Sequence, residues 1–365
     1  MERILVVNPG STSTKIAVFD DETPVMSETI RHSEDELSRF SWVMDQLQYR
    51  YELIEQSLKA HGVSQNTLTC VVSRGGLLPP VPAGALRVNK DMIDYMYAQG
   101  VEAHISNVGC VIADKFAKQN GIEAYVYDPV AVDELSPLAR ISGLPELPKV
   151  SRGHALNTYA MAVRCAEEIL KKPVTECTFI VAHIGGGCST WLIHRGRRID
   201  MYSDDDAGFA PERCGKLQAM DIVRLCYSGK YTYGEMVAKI RGNAGLRAHL
   251  GTSSAIKVEE MIEKGDKHAE LIYEAMAYGC AKGIGDLATA VYGKVDRIIL
   301  TGSVVKSKML TDWIVPRVEW IAPVEIMAGE YEVEALAAGA LRVLRGEEKL
   351  NTFTWKKENP GKTDE

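Results

Sequence analysis

A short polar turn near the start of the chain carries residue types that bind anions. Apolar residues 4–7 lead into it and apolar residues 16–19 follow it, which predicts two strands joined by a turn. The polar groups in and beside the turn belong to Asn8, Gly10, Ser11, Ser13 and Lys15. Backbone N–H groups, hydroxyls and one ammonium can together surround a phosphate. An ordinary surface hairpin explains this stretch equally well.

A second stretch, residues 179–193, repeats this layout. Its first apolar run ends at His183, and a second apolar run begins after a glycine turn. The glycines of that turn are Gly185, Gly186 and Gly187. An alignment of Asn8 with His183 also superposes the first glycine of each turn, and it sets Cys188 opposite Ser13. We therefore expect a duplicated domain, each half bringing one turn to a shared cleft.

Further candidates stand where predicted strands end. They are Arg74, Asp128, Thr301, Gly302 and Ser303. Ligands of open α/β sheets gather at the carboxyl ends of strands, which favours a function for these positions. A turn or cap role is the ordinary alternative for Arg74 and Asp128, as capping is for His154 at the start of a predicted helix. The acidic run 204–206 indicates a solvated loop, since no further carboxylates complete a metal-ligand spacing.

The elements that must position these residues alternate between helix and strand. Besides the two hairpins, the patterns predict strands at 68–73, 124–127 and 295–300. They predict helices at 34–61, 92–99, 108–119, 151–172, 258–291 and 334–345. Such alternation indicates an α/β protein with a parallel or mixed sheet. We expect domains at 1–145, to which about 331–350 return, and at 146–330, followed by a polar, frayed tail at 351–365.

Composition restricts the class of protein further. The chain has 365 residues, 46% of them hydrophobic and 25% charged, which fits two globular domains. A net charge of −7 argues against a nucleic-acid partner. No window resembles a membrane helix, and the N-terminus lacks the layout of a signal peptide. Eight scattered cysteines without a C-x-x-C pair favour reduced thiols. These features predict a cytoplasmic protein.

Several segments together resemble a known family. They lie at residues 8–15, 73–80, 104–109, 127–129, 154–157, 183–187 and 334–346. In this order, from residue 3 to about 349, they resemble butyrate kinases of the acetokinase family. Butyrate kinases and acetate kinases belong to a superfamily that also holds sugar kinases, actin and heat-shock ATPases. The resemblance implies a duplicated, two-domain actin-like ATPase fold of ribonuclease H-like domains, with an interdomain nucleotide cleft.

The resemblance also implies a reaction, ATP + butyrate ⇌ ADP + butyryl phosphate, with Mg²⁺ as the metal. Its implied phosphate contacts are the first turn (Asn8, Gly10, Ser11, Ser13 and Lys15) and the second (His183 and Gly185, Gly186 and Gly187). Arg74 would lie by the carboxylate, and His154 with Arg213 near the transferred phosphoryl group. Asp128 and Glu332 would hold or orient the metal. Thr301, Gly302 and Ser303 would lie near the adenosine.

Other functions of the same fold stay open from the sequence. A kinase for another short or branched carboxylate, such as isobutyrate, propionate or acetate, is the nearest, because one methylene in an apolar pocket is worth only about 1–3 kcal/mol. An ATP-driven binding or chaperone protein is more distant, since no residues remain for a separate peptide-binding domain. The expected partners are a short-chain carboxylate and a nucleotide, and the family implies a homodimer or a larger homo-oligomer.

Overall fold

The computed structural model describes residues 1–100 and 103–356. The strands are β1 (Arg3–Pro9), β2 (Ser13–Asp20), β3 (Thr23–Arg31), β4 (Cys70–Ser73), β5 (Ala85–Arg87), β6 (Glu123–Tyr127), β7 (Thr178–Ile184), β8 (Cys188–His194), β9 (Arg197–Tyr202), β10 (Arg297–Gly302), β11 (Val324–Ala328) and β12 (Asn351–Thr352). The helices are α1 (Glu34–Leu37), α2 (Leu47–Ala60), α3 (Lys90–Ala98), α4 (Ile105–Asn120), α5 (Pro137–Arg140), α6 (Ala155–Arg164), α7 (Ala219–Cys226), α8 (Tyr233–Ile240), α9 (Gly245–Leu250), α10 (Ala255–Glu263), α11 (Lys267–Thr289), α12 (Lys308–Val318) and α13 (Glu332–Leu344).

The chain divides into two compact units. Unit 1 comprises Met1–Val132 and the chain from Glu332 onward, and unit 2 comprises Asp133–Tyr331. The units thus separate at Val132 rather than at the expected residue 145, and the chain returns to unit 1 at Glu332. Among the described residues, no helix combines the length and the apolar character that a bilayer crossing requires.

Unit 1 is built on a mixed sheet of seven strands in the order β12-β5-β6-β4-β1-β2-β3. Strands β1, β2 and β3 are antiparallel neighbours, whereas β4 and β6 extend the sheet in parallel on the other side of β1. The apolar residues of β1 and β4 are fully buried, as expected for strands covered on both faces. Helices α4 and α13 both pack on β1.

Unit 2 repeats this arrangement with five strands in the order β11-β10-β7-β8-β9. Strands β7, β8 and β9 are antiparallel neighbours, and β10 and β11 continue the sheet in parallel beside β7. Helices α6 and α11 pack on β7. Each unit therefore contains three antiparallel strands followed by two parallel ones in the same spatial order. The predicted duplication of an α/β fold is confirmed.

The two hairpins differ at their turns. In the first hairpin Pro9 pairs with Thr14, whereas in the second Ile184 pairs with Cys188. The second turn is thus one residue shorter, so that Cys188 corresponds to Thr14 and not to Ser13. The alignment of the second strands by one common offset was wrong, because a sequence alignment without a gap cannot register a change of turn length.

Two long predicted helices are broken in the structure. The segment 34–61 forms a one-turn helix α1, a 3₁₀ turn at Val43–Gln46 and then α2. The segment 258–291 forms α10 and α11, separated at Gly265, whose φ of +91° suits glycine. The sequence patterns also missed elements that are short or lie outside the strongest apolar runs, namely β3, β5, β9, β11, β12, α5, α7, α8, α9 and α12.

The C-terminal segment is partly folded into unit 1. Strand β12 pairs in parallel with β5, and the Asn89 side chain donates a 2.8 Å hydrogen bond to the carbonyl of Phe353. The Phe353 ring is buried among the core residues of this unit. The expectation of a frayed tail from residue 351 is therefore wrong for residues 351–353, because one aromatic side chain anchors them. Residues 357–365 of that expected tail lie outside the described residues.

Candidate functional site

In unit 1, the predicted site residue Glu332 contacts two others, Asn8 and Arg74. Asn8 lies near the end of β1 and Arg74 directly follows β4, and these parallel strands end at the same edge of the sheet. The buried carboxylate of Glu332 opens α13 there. Asn8 Nδ2 donates to Glu332 Oε2 at 2.8 Å, and Arg74 Nη1 lies 3.3 Å from Oε1. Three residues that are distant in sequence thus form one charged cluster at the strand ends.

Lys15 belongs to the same region of unit 1. It lies directly opposite Asn8 in the antiparallel register of β1 and β2. Side chains that face each other across two such strands project on the same side of the sheet. The structure therefore brings the ammonium group of Lys15 to the face on which Asn8 contacts Glu332.

A buried arginine that the sequence reasoning missed holds the first turn in place. The guanidinium group of Arg50, on α2, donates to the carbonyl of Ser11 at 3.1 Å and to that of Ser13 at 3.0 Å. It also donates to Thr14 Oγ1 at 2.8 Å. Within the turn, the Gly10 N–H donates to the Ser13 carbonyl at 2.8 Å. Burial lowers the pKa of Arg50 to about 10, so the group stays charged at neutral pH.

Asp128 follows β6 and is buried in unit 1. Its Oδ1 accepts the Gly84 N–H at 2.8 Å, and its φ of +41° is a left-handed conformation that Asp adopts more readily than most residues. Across residues 1–100 and 103–356, no three His, Cys, Asp or Glu side chains cluster as a metal site would require. Mg²⁺ often uses one or two carboxylates and completes its shell with phosphate oxygens and water. The buried carboxylate of Glu332 fits such a role, whereas Asp128 already binds the backbone through one oxygen.

In unit 2, Asn157 connects His183 to a neighbouring strand. Asn157 lies on α6, His183 near the end of β7, and Thr301 opposite His183 on the parallel strand β10. The distance from Asn157 Nδ2 to His183 Nδ1 is 2.9 Å, and that to Thr301 Oγ1 is 3.2 Å. Asn157 Oδ1 accepts the backbone N–H of Tyr331 at 3.1 Å. Thr301, expected near an adenosine, thus lies beside the histidine that was expected near phosphates.

His154, just before α6, stacks on His183. Their ring centroids are 3.9 Å apart and their planes differ by 6°. His154 Nδ1 lies 2.8 Å from Ser189 Oγ, and this hydroxyl oxygen also accepts the backbone N–H of His154 at 3.1 Å. The indole N–H of Trp191 donates to the same oxygen at 3.3 Å. The His154 ring therefore stacks on His183 and contacts Ser189, and its side chain makes no capping hydrogen bond to α6.

The glycine turn of unit 2 is held by two acidic residues. The Glu212 N–H donates to the Gly186 carbonyl at 3.1 Å, and the Cys188 N–H donates to Asp204 Oδ1. A Cβ atom at Gly187 would lie only 2.5 Å from Asp204 Oδ1, so glycine is needed for this approach. The expectation that 204–206 is merely a solvated loop is wrong for Asp204, which supports the turn.

Asp204 also connects the turn to Arg213. The Arg213 Nε lies 3.8 Å from Asp204 Oδ2, and Arg213 Nη1 donates to the Glu212 carbonyl at 3.2 Å. Desolvation raises the pKa of Asp204 to about 6, although the positive charge of Arg213 opposes that shift. Arg213 and the glycine turn are thus tied to the same carboxylate.

Gly302 and Ser303 lie where β10 ends. Gly302 has a φ of +97°, and a Cβ atom there would lie 2.4 Å from the carbonyl oxygen of Ile184. The Gly302 N–H donates to the carbonyl of Gly329 at 3.1 Å. Ser303 precedes a 3₁₀ turn at Val304–Lys306. Glycine at 302 therefore allows the end of β10 to approach the end of β7.

Two residues that were not among the predicted site residues, Arg50 and Asn157, do have a signal in the sequence. Arg50 occupies the apolar stripe of α2, since it lies three residues after Leu47 and four before Ile54. A charged residue on such a stripe must find buried partners. Asn157 lies three residues after His154, hence on the same face of the helix. Neither position stands out until its neighbours in space are known.

The two repeated sheets define a two-domain α/β fold with mixed sheets, and comparisons with known proteins agree with that class. The model of the acetokinase family matches residues 153–319, slightly less than half of the chain, and supports that family. The fold is similar to Porphyromonas gingivalis acetate kinase, with 17% identity, a TM-score of 0.77, and coverage of 94% of this chain and 100% of the other. It is similar to a Francisella tularensis subsp. tularensis SCHU S4 propionate kinase, with 16% identity, a TM-score of 0.75, and coverage of 93% of this chain and 99% of the other. For Entamoeba histolytica acetate kinase the identity is 16%, the TM-score 0.74 and the coverage 93% and 98%.

Proposed function

We propose that this protein is an ATP-dependent kinase of short-chain carboxylates, with butyrate as its preferred acceptor. The acetokinase match and the acetate kinase fold support the class. The observation that carries the proposal is the cluster of Arg74, Asn8 and Glu332 at the strand ends of unit 1. A guanidinium group held in place by a buried carboxylate is a fixed cation, and such a cation suits an anionic substrate.

The chemistry requires positioning and charge neutralisation rather than a general base. A fatty acid has a pKa of about 4–5, similar to that of Asp or Glu, and is already an anion at pH 7. One carboxylate oxygen forms a bond to the γ-phosphorus while the bond from that phosphorus to the β–γ bridging oxygen breaks. The bonding pair stays on the bridging oxygen, and ADP leaves. Transfer of this kind is promoted by cations and N–H donors around the phosphoryl oxygens.

The residues of unit 1 have matching roles in this proposal. Arg74 binds the carboxylate of the acceptor, and Asn8, Gly10, Ser11, Ser13 and Lys15 contact phosphate. Mg²⁺, when bound through Glu332 or Asp128, neutralises phosphate charge. Because Asp128 binds the Gly84 N–H, it orients the metal or its water and does not abstract a proton.

The residues of unit 2 bind the nucleotide in this proposal. His183 with Gly185, Gly186 and Gly187 contacts its phosphates, and His154 with Arg213 neutralises the phosphoryl group in transit. Thr301, Gly302 and Ser303 contact the nucleoside side. The stacking of His154 on His183 and the link from Asp204 to Arg213 support a common site for these groups within the unit.

The test is hydroxylamine trapping of the acyl phosphate with ATP, Mg²⁺ and straight or branched acids from C2 to C6. We expect a hydroxamate, with the highest kcat/KM for butyrate. Arg74→Ala should lower kcat/KM by at least about a hundredfold, because a positioned cation is lost. Arg87→Ala removes an arginine that is half exposed in unit 1, and it should leave the rate unchanged.

The outcomes separate the proposed substrate from the proposed class. A maximum at acetate, propionate or isobutyrate would overturn the butyrate assignment and keep the carboxylate kinase. Release of inorganic phosphate without hydroxamate from any acid would overturn the kinase and favour an ATP-driven binding protein. Equal kinetics of Arg74→Ala and wild type would remove Arg74 from the site.

A further inference from the structure

The amide orientation of Asn157 follows from its backbone partner. The N–H of Tyr331 can only donate, so the atom that receives it at 3.1 Å must be the carbonyl oxygen of the Asn157 side chain. The amide nitrogen of Asn157 is then the atom 2.9 Å from His183 Nδ1. That nitrogen carries hydrogens and no lone pair that can accept. The contact between Asn157 and His183 is therefore a donation from the amide to the ring.

The tautomer of His183 follows from this donation. A ring nitrogen that accepts a hydrogen bond carries no hydrogen, so the hydrogen of the imidazole lies on Nε2. A Cβ atom placed on Gly185 would lie 3.1 Å from Nε2, which locates this nitrogen beside the glycine turn. His183 thus presents an N–H donor at the turn.

Ser189 determines the tautomer of the second imidazole, that of His154, through its own hydrogen bonds. Its oxygen receives two obligatory donors, the backbone N–H of His154 and the indole N–H of Trp191, and these use both lone pairs. The hydroxyl hydrogen of Ser189 is left to donate to His154 Nδ1, 2.8 Å away. His154 therefore also carries its hydrogen on Nε2, in a ring stacked on His183 at 3.9 Å.

We propose that Asn157 and Ser189 are positioning residues that fix both stacked imidazoles as Nε2–H donors for the phosphate oxygens of the nucleotide. This inference rests on the proposed function for the identity of the ligand. Phosphate oxygens only accept hydrogen bonds, so a histidine with the opposite tautomer would turn a lone pair towards them. Asn157 acts through His183, and the Tyr331 N–H keeps its amide from rotating.

The experiment uses the full chain labelled with ¹⁵N-histidine, in which NMR distinguishes protonated from unprotonated ring nitrogens. His183→Gln and His154→Gln variants assign the two rings. We expect wild-type His183 and His154 to carry hydrogen on Nε2 and none on Nδ1 near pH 8. In Asn157→Asp, the carboxylate can accept from both the Tyr331 N–H and the ring, so the hydrogen of His183 should appear on Nδ1. A wild-type His183 protonated on Nδ1 would overturn the proposal even if the variant fails to fold.

Binding provides a second readout that does not depend on turnover. In titration calorimetry, Asn157→Asp should weaken ADP binding at least tenfold. Thr158→Val is the matched control, because the hydroxyl of this neighbouring residue donates to the helix carbonyls of His154 and Ala155, and the variant should bind ADP as wild type does. Equal ADP affinity of Asn157→Asp and wild type would overturn the positioning role. If the expected tautomers and the tenfold loss are found but no acid yields hydroxamate, the positioning role stands and only the carboxylate kinase fails.

Discussion

Asn8 donates its side-chain amide to the carboxylate of Glu332 at 2.8 Å, although 324 positions separate the two residues in the chain. Arg74 approaches the same carboxylate at 3.3 Å. The first strand of unit 1 and its returning helix α13 are thus joined by a buried polar contact next to a cation. The Glu332 carboxylate accepts the hydrogen bond from Asn8 and pairs with Arg74, and in the proposed reaction it also holds or orients the metal.

Glu332→Gln should raise the Mg²⁺ concentration that gives half-maximal turnover by about tenfold or more. The side-chain carbonyl of Gln can still accept from Asn8, but the negative charge that favours a divalent cation is lost. The measurement is a magnesium titration at saturating ATP and butyrate. Glu334→Gln changes an exposed carboxylate one half-turn further along α13 and is the control. A magnesium curve that does not move in Glu332→Gln would exclude Glu332 as a ligand.

Arg50→Met should destabilise unit 1 by about 2–4 kcal/mol, since several charge-assisted hydrogen bonds to the first turn are lost and buried carbonyls are left without them. Urea unfolding followed by circular dichroism measures the loss. Lys59→Met, at an exposed position of the same helix, should change the stability by less than about 0.5 kcal/mol. Arg50→Met with the stability of wild type would mean that the turn does not depend on Arg50.

Asp204→Asn should alter the pH dependence of stability in a defined direction. The pKa of this carboxyl is about 6 in the folded protein and near 3.8 without the fold, so the folded state binds more protons between these values. The contribution of Asp204 is therefore fully present below about pH 4 and is lost as the pH rises through 6. Urea midpoints of wild type should fall relative to those of Asp204→Asn from pH 4 to 7. Asp221→Asn, at an exposed site, should give a constant difference, and a similarly constant difference for Asp204→Asn would refute the shifted pKa.

Gly302→Ala should destabilise unit 2 by about 2–4 kcal/mol. The φ of +97° disfavours any side chain, and the new methyl group would lie 2.4 Å from the carbonyl oxygen of Ile184. Gly285→Ala is a control of opposite sign: it lies in α11 with no atom within 4 Å of an added Cβ, and it should stabilise by about 0.5–1 kcal/mol. Differential scanning calorimetry of both variants tests this contrast. Gly302→Ala with an unchanged melting temperature would show that the strand ends can separate at no cost.

Much of the fold could be read from local patterns. The two hairpins, α4 and β10 follow apolar periodicity and glycine stops, which depend on neighbours in sequence. Strand ends drew attention to Arg74, because ligands of open α/β sheets gather at the carboxyl ends of strands, and the structure places Arg74 beside Glu332 there. The duplication could be recognised because both halves keep the same strand–turn–strand order.

The partners of these residues could not be read in that way. The contact of Glu332 with Asn8 depends on the return of the chain to unit 1. The orientation of the Asn157 amide depends on the hydrogen bond that it accepts from the backbone N–H of Tyr331. The folded segment at 351–353 was missed because its sequence is mostly polar, whereas the burial of one ring, that of Phe353, anchors it. Tertiary contacts decide these features, and no local pattern encodes them.

The unequal turn lengths of the two hairpins bear on how their side chains are placed. Side chains alternate between the faces of a strand, so a shift of one residue turns each of them to the other face. Because Thr14 and Cys188 are the corresponding residues that close the two turns, the extra residue leaves the strand pairing unshifted, and Trp191 remains fully buried on β8. The difference in length is thus confined to the turns, where an added residue changes neither the pairing of the strands nor the faces on which their side chains lie.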